Sequence, residues 1–179
     1  INRKFLDYDR QAQREKVFKQ YRDIFQMNAT VEDVPDYYLR SPLQRTIQLL
    51  KRHRDLYFGR IPNGKKYRPK SVIITSLAAR IAEQAEPQGL ETLLTYVVHG
   101  LYEYAVLLDG KTPVSKRTGR QIQHISKKNS EWIILNPVDP EDNYANDWDD
   151  RNAKAFFEWI KVVKDDLADS LTVNEQATS

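Results

Sequence analysis

The stretch from Ser71 to Ala85, SVIITSLAARIAEQA, places Val72, Ile73, Ile74, Leu77, Ala78, Ile81 and Ala82 around nearly the whole circumference of a helix. A helix with no polar face cannot stand at a surface, so other elements must cover it on most sides. Its β-branched opening also fits a short strand. The run, however, continues through Ser76-Leu77-Ala78-Ala79-Arg80 with no turn residue before Pro87, and that length favours a helix.

The covering elements are legible on either side. Asp7 to Gln26 carries Val17, Phe18, Tyr21, Ile24 and Phe25 at helical spacing, and a linker from Asn28 to Pro35 follows. Pro42 to Phe58 has Ser41 at the N-cap position and Pro42 at the first helical position, with Leu43, Ile47, Leu50 and Tyr57 on the apolar face and Arg45, Lys51, Arg52 and Arg54 as its positive charge. Gly59 to Arg68 reads as a basic, solvated loop with a hairpin turn at Asn63-Gly64. Leu90 to Leu108 repeats apolar residues at i, i+3, i+4 and i+7 until Asp109-Gly110 stops it. Ser130 to Leu135 reads as a short extended segment, and the two prolines of Asn136-Pro137-Val138-Asp139-Pro140 exclude a helix there. Ala153, Phe156, Phe157, Ile160, Val163 and Leu167 mark a last amphipathic helix. The expected fold is mainly α: a bundle of about five helices with one short extended segment. It divides into residues 1–35 as N-terminal helix and linker, 36–171 as the helical domain, and 172–179 as a polar tail.

The 179 residues suit one domain, and 40% hydrophobic content suffices for a core. No cysteine is present, so disulfides and thiolate metal sites are excluded, and the reducing cytoplasm is the expected compartment. No apolar run reaches the roughly 20 residues of a membrane helix, and Ile1-Asn2-Arg3-Lys4 opens no secretion signal. A net charge of +3 points to a local anionic ligand rather than to sequence-specific binding of duplex DNA.

Arg68-Pro69-Lys70-Ser71 joins two cations and a hydroxyl to the start of the central helix, where free backbone N–H groups and the helix dipole favour a phosphate. Lys51, on the preceding helix, is a candidate point charge for the same anion, or else the i, i+4 partner of Asp55; Ser71 is a phosphate ligand or simply a cap. Asp7-Tyr8-Asp9 has the spacing of a Mg²⁺ ligand pair but reads better as helix capping. His53, His99 and His124 have no ligand spacing and read as structural, and Trp148 and Trp159 read as anchors.

LQRTIQLLKRHRDLYF (43–58), RPKSVIITSLAA (68–79) and ILNPVDPEDNYANDW (134–148) together resemble the C-terminal helical half of the bacterial cGAS/DncV-like nucleotidyltransferases, which make cyclic oligonucleotide second messengers in anti-phage defence. The resemblance runs from about Val34 to Leu167. It implies a helical half like that of oligoadenylate synthetase and poly(A) polymerase, forming one wall of a nucleotide cleft. The family's other wall is an α/β lobe with a Gly-Ser signature and three metal-binding carboxylates. No Gly-Ser dipeptide occurs here, so that lobe and the Mg²⁺ it holds are expected to be absent from this chain, which alone should be inactive.

The resemblance also implies that Lys51 and Ser71 contact the donor triphosphate, assisted by Lys70 and Arg68, and that a base edge is read near Asn136 or Asp139. No catalytic or metal-binding residue is assigned. The partners it implies are NTP substrates, the catalytic lobe of the same protein and regulatory proteins of the anti-phage (CBASS) systems. The competing reading is a non-catalytic helical module that binds RNA or a protein partner through its basic groove.

Overall fold

The computed structural model describes Arg14 and residues 41–86, 89–116 and 119–169, with side chains to residue 167. The expected helix from Asp7 to Gln26, including Asp7 and Asp9, lies outside the described residues apart from Arg14. The described chain is mainly helical: α1 (Pro42–Arg60), a single-turn α2 (Gly64–Tyr67), α3 (Ser71–Ala82), α4 (Leu90–Tyr102), a two-stranded hairpin of β1 (Ser126–Lys128) and β2 (Glu131–Ile133), and α5 (Asp150–Val163). α4 continues as a 3₁₀ segment, Glu103–Asp109, and α5 as a π-helical segment, Lys164–Asp169.

α1 begins where its sequence places it. The Ser41 hydroxyl accepts from the Gln44 N–H, and the Gln44 side chain accepts in return from the Ser41 N–H, a reciprocal cap with Pro42 just inside. Its buried stripe differs from the expected one: Leu43, Thr46, Leu50, Arg54 and Phe58 are buried, whereas Ile47 and Tyr57 are only half-buried. Arg54 is therefore part of the interior rather than of the solvated charge.

The expected loop after α1 holds a helical turn instead of a hairpin. Asn63 takes the left-handed backbone (φ 57°), and Gly64 then passes against α1 so closely that a Cβ there would meet the Phe58 carbonyl oxygen at 1.9 Å. Only glycine lets the chain fold back on its own helix at that point.

α3 is central, with Ile73, Ile74, Leu77, Ala78 and Ile81 buried against α1 and α4. It is shorter than its apolar run, ending at Ala82. α4 approaches α3 at Gly100, where a Cβ would lie 2.7 Å from Ile81 Cγ2. The helical pattern of Leu90 to Leu108 is continuous, but its last part tightens to 3₁₀ before Gly110 reverses the chain with φ 69°.

α5 starts at a capping box in which Asp149 accepts from the Arg151 and Asn152 N–H groups, and its face of Phe156, Phe157, Trp159, Ile160 and Val163 completes the same core. The hairpin is tied to this helix start: the Asp150 carboxylate accepts from Lys127 Nζ (2.6 Å) and Trp132 Nε1 (2.9 Å). These two donors hold the Asp150 carboxyl below the usual carboxylate range. Of the two tryptophans read as anchors, Trp159 is fully buried and Trp148 only half-buried, while Trp132 is fully buried as well.

His53 is structural. Its Nδ1 accepts from Trp159 Nε1 and its Nε2 bonds Asp166, so α1 is tied both to α5 and to the π-helical segment that follows it. Burial, reinforced by Arg80, depresses the basicity of His124. Among the described residues no helix is long and apolar enough to cross a membrane.

Candidate functional site

The start of α3 is built from beneath by Arg54. Its guanidinium, buried on the α1 stripe, donates through Nη1 to the Pro69 carbonyl (3.1 Å) and to Ser71 Oγ (2.9 Å). The other edge pairs with Asp55 Oδ1, from Nε at 2.9 Å and Nη2 at 2.7 Å. One planar, permanently charged group thus fixes both the turn before α3 and the hydroxyl at its first residue. Because Arg54 supplies the hydrogen to Ser71 Oγ, the serine keeps its own O–H to donate outward.

Ser71 is exposed and is not the cap. The N-cap position belongs to Lys70, whose side chain makes no capping bond, so the first-turn N–H groups of α3 have no side-chain acceptor there. The Ser71 side chain is engaged with Arg54 across the helix interface instead.

Lys51 sits one turn before Arg54 on the same side of α1 and is half-buried. Its expected alternative partner is taken: Asp55 pairs with Arg54 and, at 3.5 Å, with Arg68 Nη1. Lys51 has no ion-pair partner among the described residues. Lys70 turns away towards the loop before α5, donating to Asp147 Oδ1 (3.0 Å) and Asn146 Oδ1 (3.4 Å).

Arg68 and Ser71 therefore gather around Arg54 and Asp55, with Lys51 one turn earlier on α1, and Lys70 bridges from the same turn to the 146–147 loop. Asn136 and Asp139 stand elsewhere. At the opposite end of α3, Arg80 donates to the Leu135 carbonyl (2.9 Å), which places the start of the asparagine-proline segment there. Ser71 and Arg80 are separated by about 14 Å along the helix at 1.5 Å per residue. The segment between Leu135 and Asp147 consequently runs alongside α3 from Arg80 back to Lys70.

Asn136 and Asp139 spend polar atoms on that segment's own shape. Asn136 Oδ1 accepts from the Val138 N–H and its Nδ2 donates to Asp142, while Asp139 Oδ1 accepts from the Glu141 N–H. Asn143 does most to anchor the segment: its Oδ1 accepts from the Ile134 and Ala145 N–H groups, and its Nδ2 donates to the Trp132 carbonyl. Asn136 also lines a groove of about 650 Å³ between the hairpin and the 110–113 loop; Asp139 does not.

Arg54 is the site residue that sequence reasoning grouped with surface cations. Its signal was present: it stands four residues after Leu50 and four before Phe58, in line with the apolar stripe. Among the described residues no group of three histidine or acidic side chains could hold a metal ion, so they do not fit a two-Mg²⁺ centre.

A c-di-GMP synthase of Roseivirga ehrenbergii is 27% identical to this chain over 139 residues, which cover 76% of the chain and 31% of that protein. The chain spans less than a third of the length of this curated relative. No protein-family model and no solved structure matches the chain.

Proposed function

We propose that this chain is the helical, substrate-binding portion of a nucleotidyltransferase that makes a cyclic di- or oligonucleotide from NTPs in anti-phage defence, with Lys51 and Ser71 holding the donor triphosphate. The observation that carries the reading is the Ser71 hydroxyl at the start of α3 held by Arg54, with Lys51, a cation that has no ion-pair partner among the described residues, one turn before Arg54 on α1. The relative named a c-di-GMP synthase supports the same direction.

In this reading the reaction joins a nucleotidyl group to a ribose hydroxyl and releases pyrophosphate. The described residues contribute charge neutralisation and positioning: Ser71 donates its O–H to a phosphate oxygen, the Ser71 and Val72 N–H groups face the same anion while that of Ile73 bonds the Lys70 carbonyl, and Lys51 and Arg68 offset its charge. The catalytic carboxylates and the Mg²⁺ they bind belong to another lobe of the protein, and this chain incubated alone with Mg²⁺ and labelled NTPs forms no product.

Titration of the full-length protein with GTP and with ATP in the presence of Mg²⁺ tests the assignment. Loss of one charge-assisted phosphate contact is worth about 1.5–3 kcal/mol, so Lys51→Ala should weaken binding about 10–100-fold while its circular dichroism stays that of the wild type. Equal affinity in wild type and Lys51→Ala would remove Lys51 from the site.

A further inference from the structure

The groove between the hairpin and the 110–113 loop has a chemistry of its own. Four cations line it, Arg80, Lys111, Lys127 and Lys128, and no aspartate or glutamate is among the lining residues. Its volume, about 650 Å³, is that of a small-molecule site rather than of a surface dimple. Gln121, Gln123 and Ser126 add neutral polar groups, while Ile133, Leu135 and Pro137 give it an apolar wall.

The cations are committed to different degrees. Lys127 is held by Asp150 and lies over the Trp132 ring, 5.1 Å from its centroid. Arg80 spends one donor on the Leu135 carbonyl, and Lys111 has only the exposed Asp109, at 3.9 Å. Lys128 stands directly across the ladder from Glu131 yet forms no ion pair with it. The groove therefore presents Lys128, Lys111 and the remaining donors of Arg80 with little to neutralise them.

A second, independent feature sits on the same rim. The two strands join through Asn129 and Ser130, both with positive φ (49° and 68°), the backbone of a two-residue primed turn. Glycine is the residue such a turn prefers at the second position, because a side chain there is strained. This chain carries Ser130 instead, and Ser130 lines the groove. Ser130 thus sets a hydroxyl on the groove rim at a position where the turn backbone favours glycine.

We propose that this groove is an anion-binding site for a phosphorylated small molecule of about nucleotide size, separate from the α3 N-terminus. Lys128, Lys111 and Arg80 neutralise its phosphates, Ser130 hydrogen-bonds to it, and the Ile133–Pro137 wall receives its apolar part. The proposal stands whether or not Lys51 and Ser71 hold a nucleotide, since the two clusters lie at opposite ends of α3.

Inorganic tripolyphosphate, titrated into the ¹⁵N-labelled 179-residue chain, is the probe, with amide shifts of Ser126, Lys128 and Ser130 reporting the groove and those of Ser71 and Thr75 reporting the other cluster. The groove amides should shift to saturation. Lys111→Glu with Lys128→Glu should weaken that response at least tenfold without changing the Ser71 and Thr75 response. Ser130→Gly should weaken it severalfold while leaving the thermal midpoint equal to or above the wild type, a combination that a merely structural serine cannot produce. Groove amides that do not move, or a groove response indifferent to the double charge reversal, would overturn the site. A ten-nucleotide single-stranded RNA that binds through the groove more than tenfold tighter than tripolyphosphate would overturn the small-molecule assignment in favour of RNA.

Discussion

Replacing Arg54 tests the foundation of the α3 start. Arg54→Met keeps most of the buried stem but removes the guanidinium, leaving the Pro69 carbonyl and Ser71 Oγ without their donor. Two hydrogen bonds from a charged, buried donor are worth about 1.5 kcal/mol each at the low end of their range. The pair with Asp55 adds little, because that carboxylate is half exposed and recovers water when its partner leaves. The expected loss is about 3 kcal/mol, or about 6–12 °C in thermal midpoint for a chain of this size. Urea denaturation of wild type, Arg54→Met, Ser71→Ala and the double variant then isolates the bond to the serine. The two single changes should fail to add by about 1–2 kcal/mol, since Ser71→Ala has nothing left to remove once the guanidinium is gone. Additivity within about 0.3 kcal/mol would refute the claim that Arg54 positions the Ser71 hydroxyl.

Two further outcomes follow from the packing. Gly64→Ala drives a methyl group into the Phe58 carbonyl oxygen, so the α1–α2 reversal must open; the denaturation midpoint should drop by the equivalent of about 2 kcal/mol or more, and an unchanged midpoint would contradict the close approach. Tyr104, whose oxygen accepts from the His124 N–H, is pushed up to about 12 by burial. Its folded-state value exceeds the unfolded one of about 10, so its contribution is complete below pH 10 and is lost as pH rises towards 12. The stability advantage of wild type over Tyr104→Phe, measured by urea unfolding, should therefore shrink across that window, and a constant difference would contradict the assignment.

What was legible in the sequence was local. Ser41-Pro42 signalled the start of α1 because the cap partner, Gln44, lies three residues away, and Leu90 to Leu108 announced α4 together with its 3₁₀ continuation because its periodicity is its own. The hairpin was only half visible: Trp132 and Ile133 suggested an extended segment, but Ser126-Lys127-Lys128 has no apolar alternation and becomes a strand by pairing with them. Asn63-Gly64 carried a real turn signal with the wrong product, because the glycine was required for contact with Phe58 rather than for a primed hairpin turn. Arg54 looked like surface charge because its partners, Pro69 and Ser71, lie 15 and 17 residues on. The distant c-di-GMP synthase similarity accords with the resemblance in outline and says nothing of these residues.

The same contacts fix how the segment before α5 lies on α3. Lys70 grips the 146–147 loop at one end, Arg80 grips Leu135 at the other, and Asn143 pins the intervening segment to Trp132 and Ile134. The segment from Leu135 to Asp147 is thus strapped along a buried helix at both ends. The two ends of that strap are held by separate hydrogen bonds, Lys70 to Asp147 and Arg80 to the Leu135 carbonyl, and the buried Ile73, Leu77 and Ile81 leave α3 itself little freedom to move, so an anion that binds the spare donors of Arg80 leaves the Lys70 end unchanged.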